Sequence, residues 1–323
     1  MNSKKIIAVL LSATMLMAAV TGCTKVKKVD LKSMDKAAEK VEAETYDDVE
    51  EFLDDGEDDL EDGVYLTMDE DAIEDVIDEI GIDDDDLEDI IDEINDYLDA
   101  DIDFSLDDLT EAAVYLKVDD ENVALVAYID VGESNLASEV FGIVTNEDNL
   151  EDAQDELEDL ADEVDYDLDG FTIDLDKLGS DEYYNGKNSG YIKFCITQDF
   201  LEDLVENDIT EAFEEADLDD YLEDVEDMAD EMPYDVMAGG IYYNGGVIVV
   251  TFIATDDEDM IEDYESFMST IGLKSPTKVK PSKYLRELIT TALVVSASYE
   301  DQMKSSRHNA EITDVVAEID ANY

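Results

Sequence analysis

Ile241-Tyr242-Tyr243-Asn244-Gly245-Gly246-Val247-Ile248-Val249-Val250-Thr251 holds two runs of β-branched and aromatic residues on either side of Asn-Gly. Asn-Gly tolerates the positive φ angles of a tight turn whose twist matches its strands, so the stretch predicts a β-hairpin. A second hairpin is predicted upstream, from Ala113 to Val118 and from Val123 to Val131, joined by Asp119 to Asn122. The two align, Val114-Tyr115-Leu116 on Ile241-Tyr242-Tyr243 and Val123 to Val131 on Val247 to Thr255, with the second loop shorter.

The likeness extends outward. Glu70-Asp71-Ala72-Ile73-Glu74-Asp75-Val76-Ile77 matches Gln198-Asp199-Phe200-Leu201-Glu202-Asp203-Leu204-Val205 at an offset of 128 residues. A strand precedes each, Gly63 to Met68 in the first case and Tyr191 to Thr197 in the second. Apolar residues at helical spacing predict helices over Met34 to Phe52, Asp69 to Ile80, Leu87 to Leu98, Glu133 to Ile143 and Leu150 to Val164. Asp83 to Asp86 reads as the acidic first turn of a helix, where the dipole favours negative charge, in preference to a cation site. Thr255 and Glu258 are spaced as a capping box before Ile261, Tyr264, Met268 and Ile271.

The expected fold class is therefore α+β: tandem duplicated units of helices packed on short antiparallel sheets or hairpins, plus C-terminal helices. Repeat 1 is expected over 34–145 and repeat 2 over 150–273, each with its own sheet. Ser275-Pro276 and Lys280-Pro281 mark a linker in the final segment, 274–323. Beyond it Leu285, Leu288, Ile289, Ala292, Ser296, Tyr299 and Met303 line one helix, and Ile312, Val315, Val316 and Ile319 another. Both are expected to pack on the body, with binding of a partner as the alternative.

Charge divides the chain differently. The 323 residues carry 19 bases and 93 acids, a net −74, yet 45% are hydrophobic, enough for a packed core. Residues 41–273 hold 83 of the acids against Lys117, Lys177, Lys187 and Lys193, while Lys25 to Lys40 is a basic stem and the segment from Lys274 onward is neutral. Such a body repels phosphate, which excludes nucleic acid as a partner, and gathers divalent cations as counterions.

Catalytic residues are sparse. His308 is the single histidine and Cys195 the single cysteine beyond residue 23, set in an alternating strand pattern that reads as a buried structural thiol. Carboxylate chemistry remains open in principle, but 93 acids single out no pair. No phosphate loop or dinucleotide fingerprint occurs, and the chain is not expected to be an enzyme.

Two stretches resemble known families. Asp165-Tyr166-Asp167-Leu168-Asp169-Gly170-Phe171-Thr172-Ile173-Asp174-Leu175-Asp176 resembles a calcium loop of the EF-hand or dockerin kind. That resemblance implies calcium as a cofactor, held by Asp165, Asp167, Asp169, the Phe171 carbonyl and Asp176. The loop departs from the pattern at Thr172 and Asp176 and has no helix leaving it, so a plain acidic turn stands as the alternative.

At the N-terminus, Lys4 and Lys5, an apolar run from Ile6 to Val20, and Val20-Thr21-Gly22-Cys23 resemble a bacterial lipoprotein signal with its lipobox. The resemblance implies removal of residues 1–22 and diacylglycerol and palmitate on Cys23. The protein would then be a cell-surface lipoprotein on the extracytoplasmic face of the membrane, with residues 23–45 as lipid anchor and basic stem. The apolar run would extend only about 22 Å as a helix, short of a hydrocarbon core of about 30 Å. Lys25, Lys27, Lys28 and Lys32 follow the anchor and either meet an anionic membrane surface or form a solvated spacer. The function expected is a binding or interaction module of the cell surface. A calcium-binding or cation-responsive protein is the alternative, and a carboxylate-based hydrolase a more remote one.

Overall fold

The computed structural model describes residues 26–47, 51–52, 59–73, 109–119, 122–132, 136–145, 147–164, 166–168, 170–216, 218–230 and 232–299. Helix α1 spans Leu31–Lys40. Asp30 caps its first turn, accepting from the Ser33 amide at 2.8 Å, while Ser33 Oγ accepts from the Asp30 amide. The helix does not run on to Phe52. Glu42 adopts a left-handed φ of 58°, the Ala43 amide returns to the Ala38 carbonyl, and the chain turns into strand β1, Glu44–Tyr46.

The remaining strands are β2 (Val64–Asp69), β3 (Glu111–Asp119), β4 (Asn122–Asp130), β5 (Tyr183–Gly186), β6 (Ser189–Thr197), β7 (Val236–Asn244) and β8 (Val247–Thr255). Among the described residues they form one sheet in the order β1-β2-β3-β4-β8-β7-β6-β5, antiparallel except for the β1·β2 pair. The fold is α+β, as expected, but the two units share this sheet instead of each building its own. An isolated half would leave the long ladder edge of β4 or β8 open. Pairing them, from Val123 opposite Ala254 to Asp130 opposite Val247, closes both edges.

Register exposes the duplication. The β2·β3 and β6·β7 ladders superpose when β2 is advanced by the expected 128 positions, Val64 onto Ile192, and β3 by 125, Leu116 onto Ile241. The β3·β4 and β7·β8 hairpins match residue for residue at 125, and the last pairs, Asp119 with Asn122 and Asn244 with Val247, are each separated by two residues in sequence. The second loop is thus not shortened. In the central ladder Val126 lies opposite Thr251, its own counterpart 125 positions later, so the approximate two-fold axis passes through that pair.

One face of the sheet is covered by α1 and by α7 (Glu258–Ile271). Met34, Ala37 and Ala38 meet Met260, Tyr264, Phe267, Met268 and Ile271 there, over Tyr65, Tyr115, Val126, Tyr128 and Ile253. Phe267 stacks on Tyr115 at 4.6 Å between centroids. The N-cap of α7 is Asp257, whose carboxylate accepts from the Asp259 amide, and Thr255 Oγ1 accepts from the Asp257 amide instead of capping the helix.

The other face holds α2 (Leu136–Thr145), whose Phe141 packs between Tyr183 and Tyr243. Beyond it lie α3 (Glu147–Glu163), α4 (Gln198–Leu204), α5 (Thr210–Glu215) and α6 (Asp219–Asp230), with a π-helical turn Val205–Ile209 joining α4 to α5. The expected C-terminal helix runs over 283–299 as α8. It packs on this side through Leu285, Leu288, Ile289, Leu293 and Val294, and Arg286 Nη1 meets Asp203 at 2.6 Å. The preceding segment is no free linker: Pro276 and Val279 are buried against β6 and β7. Of the helix expected over Asp69 to Ile80, residues 70–73 are described and are helical; the helices expected over Leu87 to Leu98 and Ile312 to Ile319 lie outside the described residues.

Candidate functional site

Cys195 behaves as the strand pattern requires. It points from β6 into the core, 2% exposed, with Sγ 3.6 Å from the Thr277 carbonyl, and burial pushes its thiol up to about 12. A thiol so far from ionisation is a packing group, not a nucleophile. His308 and Cys23 lie outside the described residues.

The acidic loop after α3 is described only in part, since Asp165 and Asp169 lie outside the described residues. Asp167 is exposed, and Gly170 takes the left-handed φ of 75° that the sharp turn demands. Past it the chain enters no helix of α length. The Phe171 carbonyl accepts from Gln154 Nε2 at 3.3 Å, the Ile173 amide donates to Gln154 Oε1 at 2.7 Å, and Tyr284 OH donates to the Thr172 carbonyl at 2.8 Å. Asp174 then caps the 3₁₀ turn Leu175–Lys177, which carries Asp176 on its exposed side. Gln154 and Tyr284 thus fasten this loop to α3 and α8, contacts that motif spacing alone does not contain.

The N-terminal lysines fall on a built surface. Val26 and Val29 are buried, so the arm carrying Lys27 and Lys28 is part of the body and not a free stem. Asn244 Nδ2, in the β7–β8 hairpin, donates to the Val26 carbonyl at 2.7 Å, and Lys27 Nζ reaches the Ile271 carbonyl at 3.4 Å. Lys28 lies 3.8 Å from Asp130 and stays 55% exposed, and Lys32 is exposed on α1. Lys25 is outside the described residues. Four bases not singled out from sequence share this end of the molecule: Lys36 and Lys40 of α1, Lys187 in the β5–β6 turn and Lys274 beyond α7. The four-residue spacing of Lys28, Lys32, Lys36 and Lys40 was the signal available for the first two.

In the sequence Lys193 is only one of four bases in the acidic stretch. It occupies in β6 the position that Tyr65 holds in β2, and it is 4% exposed. Its Nζ sits 4.6 Å from the centroid of the Tyr191 ring. Burial pulls the amine down to about 8, with Lys274 adding to the effect and Asp181 and Glu182 opposing it.

Among the described residues no cluster of three or more histidine, cysteine, aspartate or glutamate side chains is arranged to hold a metal ion. No described helix is long and apolar enough to cross a membrane. Comparison with protein-family models, with curated proteins and with solved structures gives no match.

Proposed function

We propose that the chain is a non-enzymatic, lipid-anchored protein of the extracytoplasmic membrane face, an interaction module that holds a strongly acidic body close to the bilayer. The supporting observation is the order of features at the N-terminus. The lipobox ends at Cys23, and three residues later Val26 is already buried in the body. A lipid on Cys23 would therefore hold the folded body within about 10 Å of the headgroups, the reach of three extended residues. Two acyl chains hold a protein durably, where one gives only reversible attachment. Growth with a clickable palmitate analogue is expected to label the wild-type chain and leave Cys23→Ser unlabelled. An unlabelled wild type, or label persisting in the variant, would remove the anchor from this reading.

A second reading, response to divalent cations, is favoured by α3. Its Glu151, Asp152, Asp155, Glu156, Glu158, Asp159, Asp162 and Glu163 are all exposed. Like charges three and four residues apart destabilise a helix by about 0.2–0.5 kcal/mol per pair. Calcium is expected to raise the melting temperature by several degrees more than sodium at equal ionic strength. An equal rise in both salts would mean general screening of a solvated coat.

A further inference from the structure

The bases near the tether come from three distant parts of the chain. Lys32, Lys36 and Lys40 recur every four residues and are exposed, a ridge on the side of α1 opposite Met34, Ala37 and Ala38, and exposed Lys28 precedes the helix in the arm. α1 lies against the C-terminal end of α7: Lys27 reaches across 244 positions to the Ile271 carbonyl, and Lys40 Nζ meets Thr270 Oγ1 at 3.3 Å. The chain leaving α7 adds Lys274, Lys278 and Lys280 within residues 266–286, which hold five bases and no acid. The β5–β6 turn brings Lys187, because the neighbouring Asn188 carbonyl accepts from the Gly245 amide at 2.9 Å, beside the Asn244 that holds Val26.

Nothing in the local sequence of any one segment requires this convergence, and it occurs in a protein of net charge −74. The carboxylates that touch these bases leave them in water: Lys274 is 69% exposed beside Asp181 and Lys278 70% exposed beside Glu265. Such pairs are weak and exchange readily for other anions.

Resting on the reading of Cys23 as the lipid anchor, we propose that this basic end is a docking face for an anionic lipid bilayer and fixes the orientation of the body on it. The tether is about as long as the screening length at physiological salt, about 8 Å, so the lysines at its foot act on headgroup charge and the distant acids do not. Any other orientation would bring the acids of residues 41–273 within that length of the same negative surface and be repelled, so the body is held lysine side down.

The test uses the full, acylated protein in vesicles of phosphatidylcholine alone or mixed with phosphatidylglycerol, labelled briefly with an amine-reactive ester and read lysine by lysine by mass spectrometry. Labelling of Lys32, Lys36 and Lys274 is expected to fall several-fold in the anionic vesicles, with Lys117 and Lys177 unchanged. The exposed-site variant K28Q/K32Q/K36Q/K40Q is expected to lose the protection of Lys274. Equal labelling in both vesicle types, by protein that floats with both, overturns the docking face while leaving the anchor intact. Protein that floats with neither and lacks the diacylglycerol mass on Cys23 overturns the anchor itself. Protection on whole cells but in neither vesicle type assigns the face to an envelope polyanion and overturns the lipid assignment.

Discussion

Gly246→Ala is expected to destabilise the protein by about 3 kcal/mol, while Gly245→Ala, one residue earlier in the same turn, costs about 1 kcal/mol. Gly245 has a φ of 62° and open space where a Cβ would stand, so the penalty there is confined to the left-handed backbone. At Gly246 a Cβ would stand 1.9 Å from the Gly132 carbonyl oxygen. That oxygen belongs to the backbone just after β4, and the adjacent Val131 amide donates to the Gly246 carbonyl at 2.7 Å. No rotamer relieves the contact: either the hairpin of the second unit withdraws from the first, or this hydrogen bond opens. The place affected is the join between the units, where Asp130 pairs with Val247. Urea midpoints of the two variants measure it, and equal shifts would mean that the close approach of the two halves is wrong.

Most of the unit was legible because its signals are local. Asn-Gly marked the β7–β8 turn, alternation marked β6 with Cys195 inward, and the offset of 128 between strand-helix pairs is the offset the ladders require. Residue identity sets Val114 on Ile241, whereas the ladders place Val114 in the role of Gly239. Identity misleads there because a large aromatic in one unit is offset by a glycine in the other: Tyr115 answers to Gly240, into whose space Lys193 and Tyr242 pack. Pairing of β4 with β8 is remote in sequence and carries no short-range mark. β1 and β5 are too brief to show a period. The basic end was half visible, as a lysine period in α1, but Lys187 and Lys274 join it only when the sheet closes and α1 settles on α7.

Lys193→Met is expected to stabilise the protein by about 2 kcal/mol at pH 7, with the gain shrinking in alkali. The amine is 4% exposed and its pKa stands at about 8 instead of 10.5, chiefly through burial. That difference corresponds to about 3 kcal/mol held against the folded state when both states are protonated. The contact with the Tyr191 ring, given up with the amine, is worth about 1 kcal/mol. Below pH 8 folded and unfolded chains both carry the proton, so the wild type bears the whole penalty. Between pH 8 and 10.5 the folded lysine is neutral while the unfolded one is still charged, and wild-type stability recovers through this group as pH rises. The variant's advantage is thus complete at pH 7 and mostly gone by the upper end of that window. Lys117→Met supplies the opposite case, because Lys117 Nζ lies 2.9 Å from Asp263 and its removal leaves that carboxylate without its cation, so this variant is expected to lose stability. Urea unfolding at pH 7 and near pH 10 separates the outcomes. A loss of stability in Lys193→Met at pH 7 would mean that the amine is well solvated, and a gain independent of pH would assign the effect to apolar packing, not to the buried charge.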